Sequence, residues 1–589
     1  MSPDRTDLPG MLPVLPAAGG RTELESAAVV IGSGFGGAVA AERLASHGVE
    51  VLVLERGRQI SPGGFPRTAG QLAAELRGED NPLGALDYRL GADLDTLTTS
   101  VLGGGSQFYA GVTLPPDDAV FATTDPTGRR IWPERVRPTE LGEHYTRIRA
   151  MLGVEPWLDA SDVAAGGPAT PAALLAGSPV AADAHCPARA TGRDFAGRTP
   201  AQRPPLAKAE QLRAWGRGHG ASVYRPPLAL NLTATADGAP NQHGVTRRRC
   251  TLCGDCVTGC NVGAKNTLTT NYLPAAVRAG AQLATGVQVL AVQPGTRRRW
   301  LLLARQHLPG LPAVAARRLR IHADTVVCAA GTLGSTQLLL ASAAAGLPLP
   351  AALGTRISGN GDDWLVAYAG DAERNPAEQP GPTITLTAET GQGTGRSLLQ
   401  DGGFPAPLRG LADLGLALSS WRAAGPGGVA RSQVWLAIGG DQAAGTARLD
   451  RHGRLRLHWP GAADQPQLAG RARAMAELAD RVGAQPVRGP RGGAPHPLRA
   501  AVTVHPLGGC PMGDDPATSV VDAAGRVYHP GGGVHPGLYV LDGSVCPTPL
   551  AVNPSLGIAA LAERAMTEIL RADLGLLVQD AGTPVRWIA

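Results

Sequence analysis

Three groups of residues in this chain have the types and spacing that chemistry needs. The first is Gly32-Ser33-Gly34-Phe35-Gly36-Gly37, with Glu55 downstream. In a dinucleotide site Gly32 permits a tight turn, Gly34 lets a pyrophosphate approach the backbone, and Gly37 lets helix and strand pack closely. The helix that follows offers free amides to the phosphates, and Glu55 is placed to accept hydrogen bonds from an adenosine ribose. The second group is Cys250, Cys253, Cys256 and Cys260, half of the eight cysteines within eleven residues. Their spacing is that of iron–sulfur ligation in bacterial ferredoxins. Four thiolates also suit tetrahedral zinc, and reduced structural cysteines are the third reading. Arg247, Arg248 and Arg249 before the group and Lys265 after it would offset thiolate charge. An iron–sulfur centre explains the spacing best. The third group lies late in the chain: His505 in HPLGGCPMG, Asp542-Gly543 after an apolar run, and Asn553 before Pro554. An acid and a glycine there can bind a ligand hydroxyl and admit phosphate. Asn553 can cap the closing helix, and on the residues alone His505 reads as a structural histidine.

The elements that must position these groups can be drawn from hydrophobic patterning. Residues 27–31 form a buried parallel strand, the helix after Gly34 runs to about Leu44, Gly48 stops it, and 49–54 form a second strand ending at Glu55. Strand, glycines, helix, strand and acid in that order make a nucleotide-binding unit. The three consecutive glycines before Ser106 allow backbone to lie flat against a planar ligand. Residues 281–292 read as one strand, with Val287 a candidate to touch adenine. A strand over 324–331 running into a helix from Thr332 belongs to the same doubly wound sheet. Between 347 and 497 the texture changes to short alternating stretches. These include 432–438, a hairpin pairing 447–449 with 455–457 through His452-Gly453, and an amphipathic helix over 468–482.

The fold expected is therefore α/β: a doubly wound, Rossmann-like nucleotide-binding domain with an inserted antiparallel-sheet substrate domain. The expected division is a loose arm at 1–25, nucleotide-binding segments at 26–115, 246–346 and 501–575, a cover at 116–245, a substrate domain at 347–500 and a tail at 576–589. Within the cover, 160–205 reads as an irregular insertion.

A length of 589 residues implies more than one domain. Hydrophobic content of 43% with 17% charge describes a soluble globular chain, and a net charge of +5 is too small at this length to indicate a nucleic-acid partner. No run approaches the ~20 apolar residues that span a bilayer, and the prolines at 13 and 16 with no basic run before them argue against a secretory signal. The expected location is the cytoplasm. The chain is rich in glycine, so single glycine motifs carry little weight until they occur in ordered context.

GSGFGG, then GGGS at Gly103–Ser106, VVCAAGTLGSTQLLL, HPLGGC and LYVLDGS followed by NPSLGIAALAER occur in that order. Together they resemble the glucose–methanol–choline (GMC) flavoprotein oxidoreductases across nearly the whole chain. The nearest likeness is to actinobacterial cholesterol oxidases carrying a CxxCxxCxxxC stretch before GAKNTL. The resemblance implies FAD at the first glycine motif, with Gly32, Gly34, Gly37 and Glu55 at its pyrophosphate and ribose. It further implies Gly104, Gly105 and Ser106 along the isoalloxazine, and Asp542 and Gly543 at the diphosphate and ribityl chain. It makes His505 and Asn553 the pair that holds a substrate oxygen above the flavin, so His505 becomes a functional residue.

An imidazole at hydrogen-bond distance can take the hydroxyl proton while the carbinol carbon loses hydride, and an amide can orient the alcohol and stabilise charge on its oxygen. The expected substrate is a sterol or other bulky hydrophobic alcohol, with long-chain alcohols and sugars as alternatives. The expected acceptor is O2, a redox protein or a quinone; an iron–sulfur relay would make the enzyme a dehydrogenase that feeds an external acceptor rather than mainly an oxidase. Two departures from the family stand out. Gln107-Phe108-Tyr109 replaces an asparagine usual after GGGS, and Asp401 is the one candidate for the glutamate that cholesterol oxidases draw from the middle domain. An NAD(P)H-linked electron carrier would need a second glycine-rich nucleotide unit, which the sequence lacks. A non-catalytic, metal-stapled binding protein would take up no FAD.

Overall fold

Runs of Val, Ile and Leu with buried positions on both faces build an eight-stranded sheet in the computed structural model. The structure describes residues 12–14, 22–164, 171–175, 202–203, 205–233, 235–371, 376–377, 380–392, 395–409, 428–488 and 500–576. Across the sheet the order is Arg526–Tyr528, Val534–Val540, Arg317–Cys328, Glu23–Ile31, Val51–Glu55 and Gln282–Thr285, with Trp300–Gln306 paired onto Arg317–Cys328 and Val287–Pro294 onto Trp300–Gln306 as an antiparallel extension. The five strands from Val534–Val540 to Gln282–Thr285 are parallel. Helices Phe35–Ser46, Tyr272–Arg278 and Ser555–Glu568 pack together beside this sheet, as a parallel sheet requires when both faces are buried.

Three elements differ from their sequence reading. The first strand begins at Glu23 rather than 27, because Glu23, Leu24 and Glu25 continue the pairing with Arg320, Ile321 and His322. Surface ion pairs, such as Glu25 with Arg298, line that edge. Residues 281–292 are two strands, broken at Gly286. Its φ of +72° is left-handed, and a Cβ there would lie 2.7 Å from the His307 carbonyl oxygen, so the chain turns out of the parallel sheet at that point. The strand expected at 324–331 starts earlier and ends at Cys328, with its helix over Thr332–Ala344.

A second sheet has six antiparallel strands in the order Gln485–Arg488, Asp363–Tyr368, Gln433–Gly439, Ser397–Gly402, Thr387–Thr390 and Ser222–Tyr224. The last comes from a segment read from sequence as cover. Helix Pro466–Asp480 packs on this sheet, and Thr446–Leu449 pairs with Leu455–His458 as the expected hairpin. The irregular stretch at 160–205, the N-terminal arm and the C-terminal tail fall largely outside the described residues.

A buried histidine away from the cavity makes stability pH-dependent. His243 is 2% exposed, and burial, with the nearby Arg278 guanidinium, pushes its imidazole down to about 4. The unfolded chain takes up that proton near the ordinary value of 6.5. The contribution is therefore complete above pH 6.5 and is lost as the pH falls towards 4. Melting temperatures across that window should fall less for His243→Gln than for the wild type; equal losses would place the acid sensitivity elsewhere.

Candidate active site

The first glycine run closes strand Glu23–Ile31 and opens helix Phe35–Ser46. A Cβ on Gly36 would sit 1.4 Å from the Leu541 carbonyl oxygen and one on Gly37 2.0 Å from that of Gly32, so this end of the helix lies directly on backbone. Gly34 differs. A Cβ there meets nothing within 4 Å, because the position faces a cavity of about 1460 Å³. Gly32, Gly34, Glu55, Gly104, Gly105 and Val287 line that cavity, which continues past Asp542 and Gly543 to His505 and Asn553. A side-chain-free backbone wall at a helix N-terminus, with an acid at the end of the next strand, fits the pyrophosphate and ribose of FAD. Gly37 lies behind this wall and supports it.

Ser33, passed over in the sequence reading, joins two parts of the cradle. Its amide and hydroxyl donate to Glu55 Oε2 at 3.1 and 2.5 Å, and its hydroxyl oxygen accepts from the Gly103 amide at 2.9 Å. The Gly57 amide donates to Glu55 Oε1 at 2.8 Å. Ser106 does not line the cavity. Its hydroxyl donates to the Gly103 carbonyl oxygen and accepts from the Leu268 amide, holding the glycine loop from behind. Gln107 is likewise turned away, towards Thr269, and Phe108 and Tyr109 face the cavity instead. Asp542 is buried. It accepts from the Ser335 and Ser544 hydroxyls, and burial pushes its carboxyl up.

His505 follows the short strand Ala501–Thr503. Its Nδ1 lies 2.9 Å from Asp362 Oδ1. A carboxylate can only accept, so Nδ1 carries the proton and Nε2 is left as the basic nitrogen. Asn553 precedes helix Ser555–Glu568. Its amide pairs reciprocally with Gln400, whose Nε2 donates to Asn553 Oδ1 at 2.9 Å. Neither partner was found by sequence reading, since each comes from a distant part of the chain and belongs to no local motif.

Asp401 does not serve as the chamber carboxylate. Neighbours in a strand point to opposite faces, and along Ser397–Gly402 it is Gln400 that reaches the cavity. Asp401 is fully buried, accepts from the Thr385 and Leu386 amides, and pairs with Lys208 at 3.3 Å. On the substrate-sheet side the cavity is walled by Trp364, Val366, Phe404, Leu408, Val434 and Val487. One ion pair, Asp363 with Arg488, interrupts that apolar surface.

The cysteine stretch requires a correction. Among the described residues no three His, Cys, Asp or Glu side chains converge as a metal site requires. The iron–sulfur or zinc centre expected on Cys250, Cys253, Cys256 and Cys260 therefore lacks its ligand set. Cys250 and Cys256 are buried while Cys253 is exposed. The cation held at this loop is the buried ammonium of Lys265, which donates to the carbonyl oxygens of Gln107 at 2.7 Å, Tyr109 at 3.2 Å and Cys256 at 2.5 Å. The loop is thereby stapled to the glycine-rich wall, and its Val257 and Thr258 line the cavity. Protein purified anaerobically should hold no stoichiometric iron, sulfide or zinc; iron with sulfide at stoichiometry would restore the cysteines as ligands.

Comparison with known proteins adds three findings. Models described as GMC oxidoreductase match residues 233–356 and 448–562, and one for an NAD(P)-binding Rossmann-like domain matches 30–75. The chain is 26% identical to a cholesterol oxidase of Acinetobacter baumannii, over 92% of this chain and 94% of that one. It is 28% identical both to a cholesterol oxidase of Mycobacterium tuberculosis, over 91% of this chain and 90% of that one, and to paromamine 6'-oxidase of Streptomyces fradiae, at the same coverage. The crystal structure of pyridoxine 4-oxidase from Mesorbium loti superposes with a TM-score of 0.56 at 18% identity, covering 93% of this chain and 99% of that one, a likeness of fold.

Proposed function

Because this chain belongs to the GMC oxidoreductase family and is an FAD-dependent enzyme acting on alcohol groups, we propose that it oxidises a bulky hydrophobic secondary alcohol, of the sterol class, to the ketone. The observation that carries this reading is the apolar wall of Trp364, Val366, Phe404, Leu408, Val434 and Val487 in the same cavity as His505 and Asn553. The two relatives named cholesterol oxidase support it.

In this reading Gly34 and the first amides of helix Phe35–Ser46 hold the FAD pyrophosphate, Glu55 the ribose, and Gly104 and Gly105 the ring system, with Val287 at the adenine and Asp542 and Gly543 along the ribityl chain. Segments 26–115, 246–346 and 501–575 form the FAD-binding domain, and 347–500 the substrate domain. FAD, when bound, accepts the hydride released by the carbinol carbon. His505 Nε2 takes the hydroxyl proton as the C–H and O–H bonds break and the C=O bond forms. Asn553 donates its amide hydrogen to the substrate oxygen and orients it, since Gln400 already fixes the plane of that amide. The apolar wall excludes water and buries the substrate skeleton at about 25 cal/mol per Å². O2 is the electron acceptor, as the word oxidase in the relatives' names supports; no relay through the cysteines forms part of this reading. None of the helices among the described residues is long and apolar enough to cross a membrane.

A second reading, a polyhydroxylated amino sugar as substrate, is favoured by the Asp363–Arg488 pair in the cavity wall and by the relative named paromamine 6'-oxidase. Anaerobic mixing with cholesterol, dodecanol and paromamine, following flavin absorbance, decides between them. The sterol should bleach the flavin fastest. Bleaching by paromamine alone would overturn the hydrophobic reading.

A further inference from the structure

One loop of the inserted domain touches the supports of both His505 and Asn553. We infer that residues 358–363, Ser-Gly-Asn-Gly-Asp-Asp, form a two-armed clamp that positions the pair, with Asp362 acting through His505 and Asn360 through Asn553. This rests on the roles proposed above for His505 and Asn553.

The first arm is Asp362. Its Oδ1 accepts from the His505 ring at 2.9 Å, and its Oδ2 accepts from the Val504 and His505 amides at 2.9 and 3.1 Å, with the Thr503 hydroxyl 2.9 Å away. One carboxylate thus holds the imidazole, its tautomer and the backbone that carries it. The second arm is Asn360, fully buried. Its Oδ1 accepts from the Leu550 and Ala551 amides, both at 3.0 Å, and its Nδ2 donates to the Val552 carbonyl oxygen at 2.8 Å. One side chain therefore holds three backbone groups, one from each residue of the segment entering Asn553.

The clamp has its own foundation. Asp441 accepts from the Ser358 hydroxyl and from the Gly359, Gly361 and Ala443 amides, at 2.9 to 3.0 Å. Asn360 and Ala551, which face each other across the second arm, both hold left-handed φ values, 54° and 53°. Non-glycine residues keep that conformation only where surrounding contacts impose it, and such positions gather at sites where geometry matters. Asn360 and Asp362 are two residues apart, whereas the groups they hold lie in separate segments of the FAD-binding fold. The loop is thus placed to set the distance between base and amide.

The test is stopped-flow flavin reduction of the FAD-loaded enzyme with cholesterol, dodecanol or paromamine, whichever reduces the wild-type flavin. The variants are Asp362→Asn, Asn360→Gly, His505→Gln and Asn553→Leu, with the doubles Asp362→Asn/His505→Gln and Asn360→Gly/Asn553→Leu. Asp362→Asn and Asn360→Gly should each lower the limiting rate by about 10- to 100-fold, as small misplacements of reacting groups do, with substrate half-saturation little changed. Each should add no more than about twofold in the background that lacks its target. If His505→Gln leaves the rate unchanged, the proposed roles fail. If His505→Gln is slow but Asp362→Asn is at wild-type rate, or the effects multiply in the double, the clamp fails. Crystal structures of the two loop variants test it without turnover. The His505 ring should be displaced in Asp362→Asn and the 550–553 segment in Asn360→Gly; unmoved groups in both would overturn the inference.

Discussion

Gly34→Val is expected to fold, melt near the wild-type temperature and purify without FAD. The backbone at Gly34 has φ −69° and ψ −169°, an extended conformation that a β-branched residue adopts freely. A Cβ at this position meets no protein atom within 4 Å, so the backbone around it leaves room for a side chain to begin. What it does fill is the space beside the helix N-terminus where the pyrophosphate is proposed to meet the amides of helix Phe35–Ser46. The effect should fall on the cofactor alone. Gly36→Ala provides the contrast: its Cβ would overlap the Leu541 carbonyl oxygen, and that variant should fail to fold or melt far lower. The visible absorption spectrum and a thermal melt of each variant are sufficient. A Gly34→Val protein carrying a full complement of FAD would mean that the cofactor does not lie against this loop.

His505→Ala should retain FAD and lose about 10²–10⁴-fold in the rate of flavin reduction by the alcohol, the range for removal of a general acid–base group. The ring sits in a cavity wall, about one-fifth exposed, so its loss removes a proton acceptor without opening the core. Asn553→Leu should act in the same direction, since it keeps volume while removing the amide proposed to orient the substrate oxygen. It also takes Asn553 from Gln400, a buried side chain that would keep only Thr387, so a modest loss of stability should accompany it, about 1–3 kcal/mol. Flavin reduction at the wild-type rate in both variants would remove the pair from the chemistry.

What could be read in the sequence was local. The unit from the first strand to Glu55 is written within one contiguous stretch, in which alternate burial, glycine spacing and an acid at a strand end each constrain the same few residues. The doubly wound sheet and the change of texture after 347 followed from hydrophobic periods that depend only on near neighbours in the chain. Those signals also misled where they were purely local. Four cysteines at ligand spacing do not make a ligand set unless the backbone turns their thiols to one point. Here the loop turns through Leu252 at φ 62° and is held by the Lys265 ammonium instead.

The support of the site was decided by tertiary structure alone. Asp362 and His505 are 143 residues apart, and Gln400 and Asn553 are 153. An aspartate or a glutamine in an unremarkable stretch carries no mark of the partner it will meet from a distant segment. Strand parity settled Gln400 against Asp401 in the same way, because a one-residue difference reverses which side chain enters the cavity. The chain's local chemistry therefore determined the nucleotide-binding unit and the motifs that carry His505 and Asn553, the pair proposed to act on the alcohol. Only the tertiary placement of the 358–363 loop and of strand Ser397–Gly402 against the segments carrying His505 and Asn553 determined which side chains hold that pair, since hydrogen bonds between remote segments depend on distances that residue order does not encode.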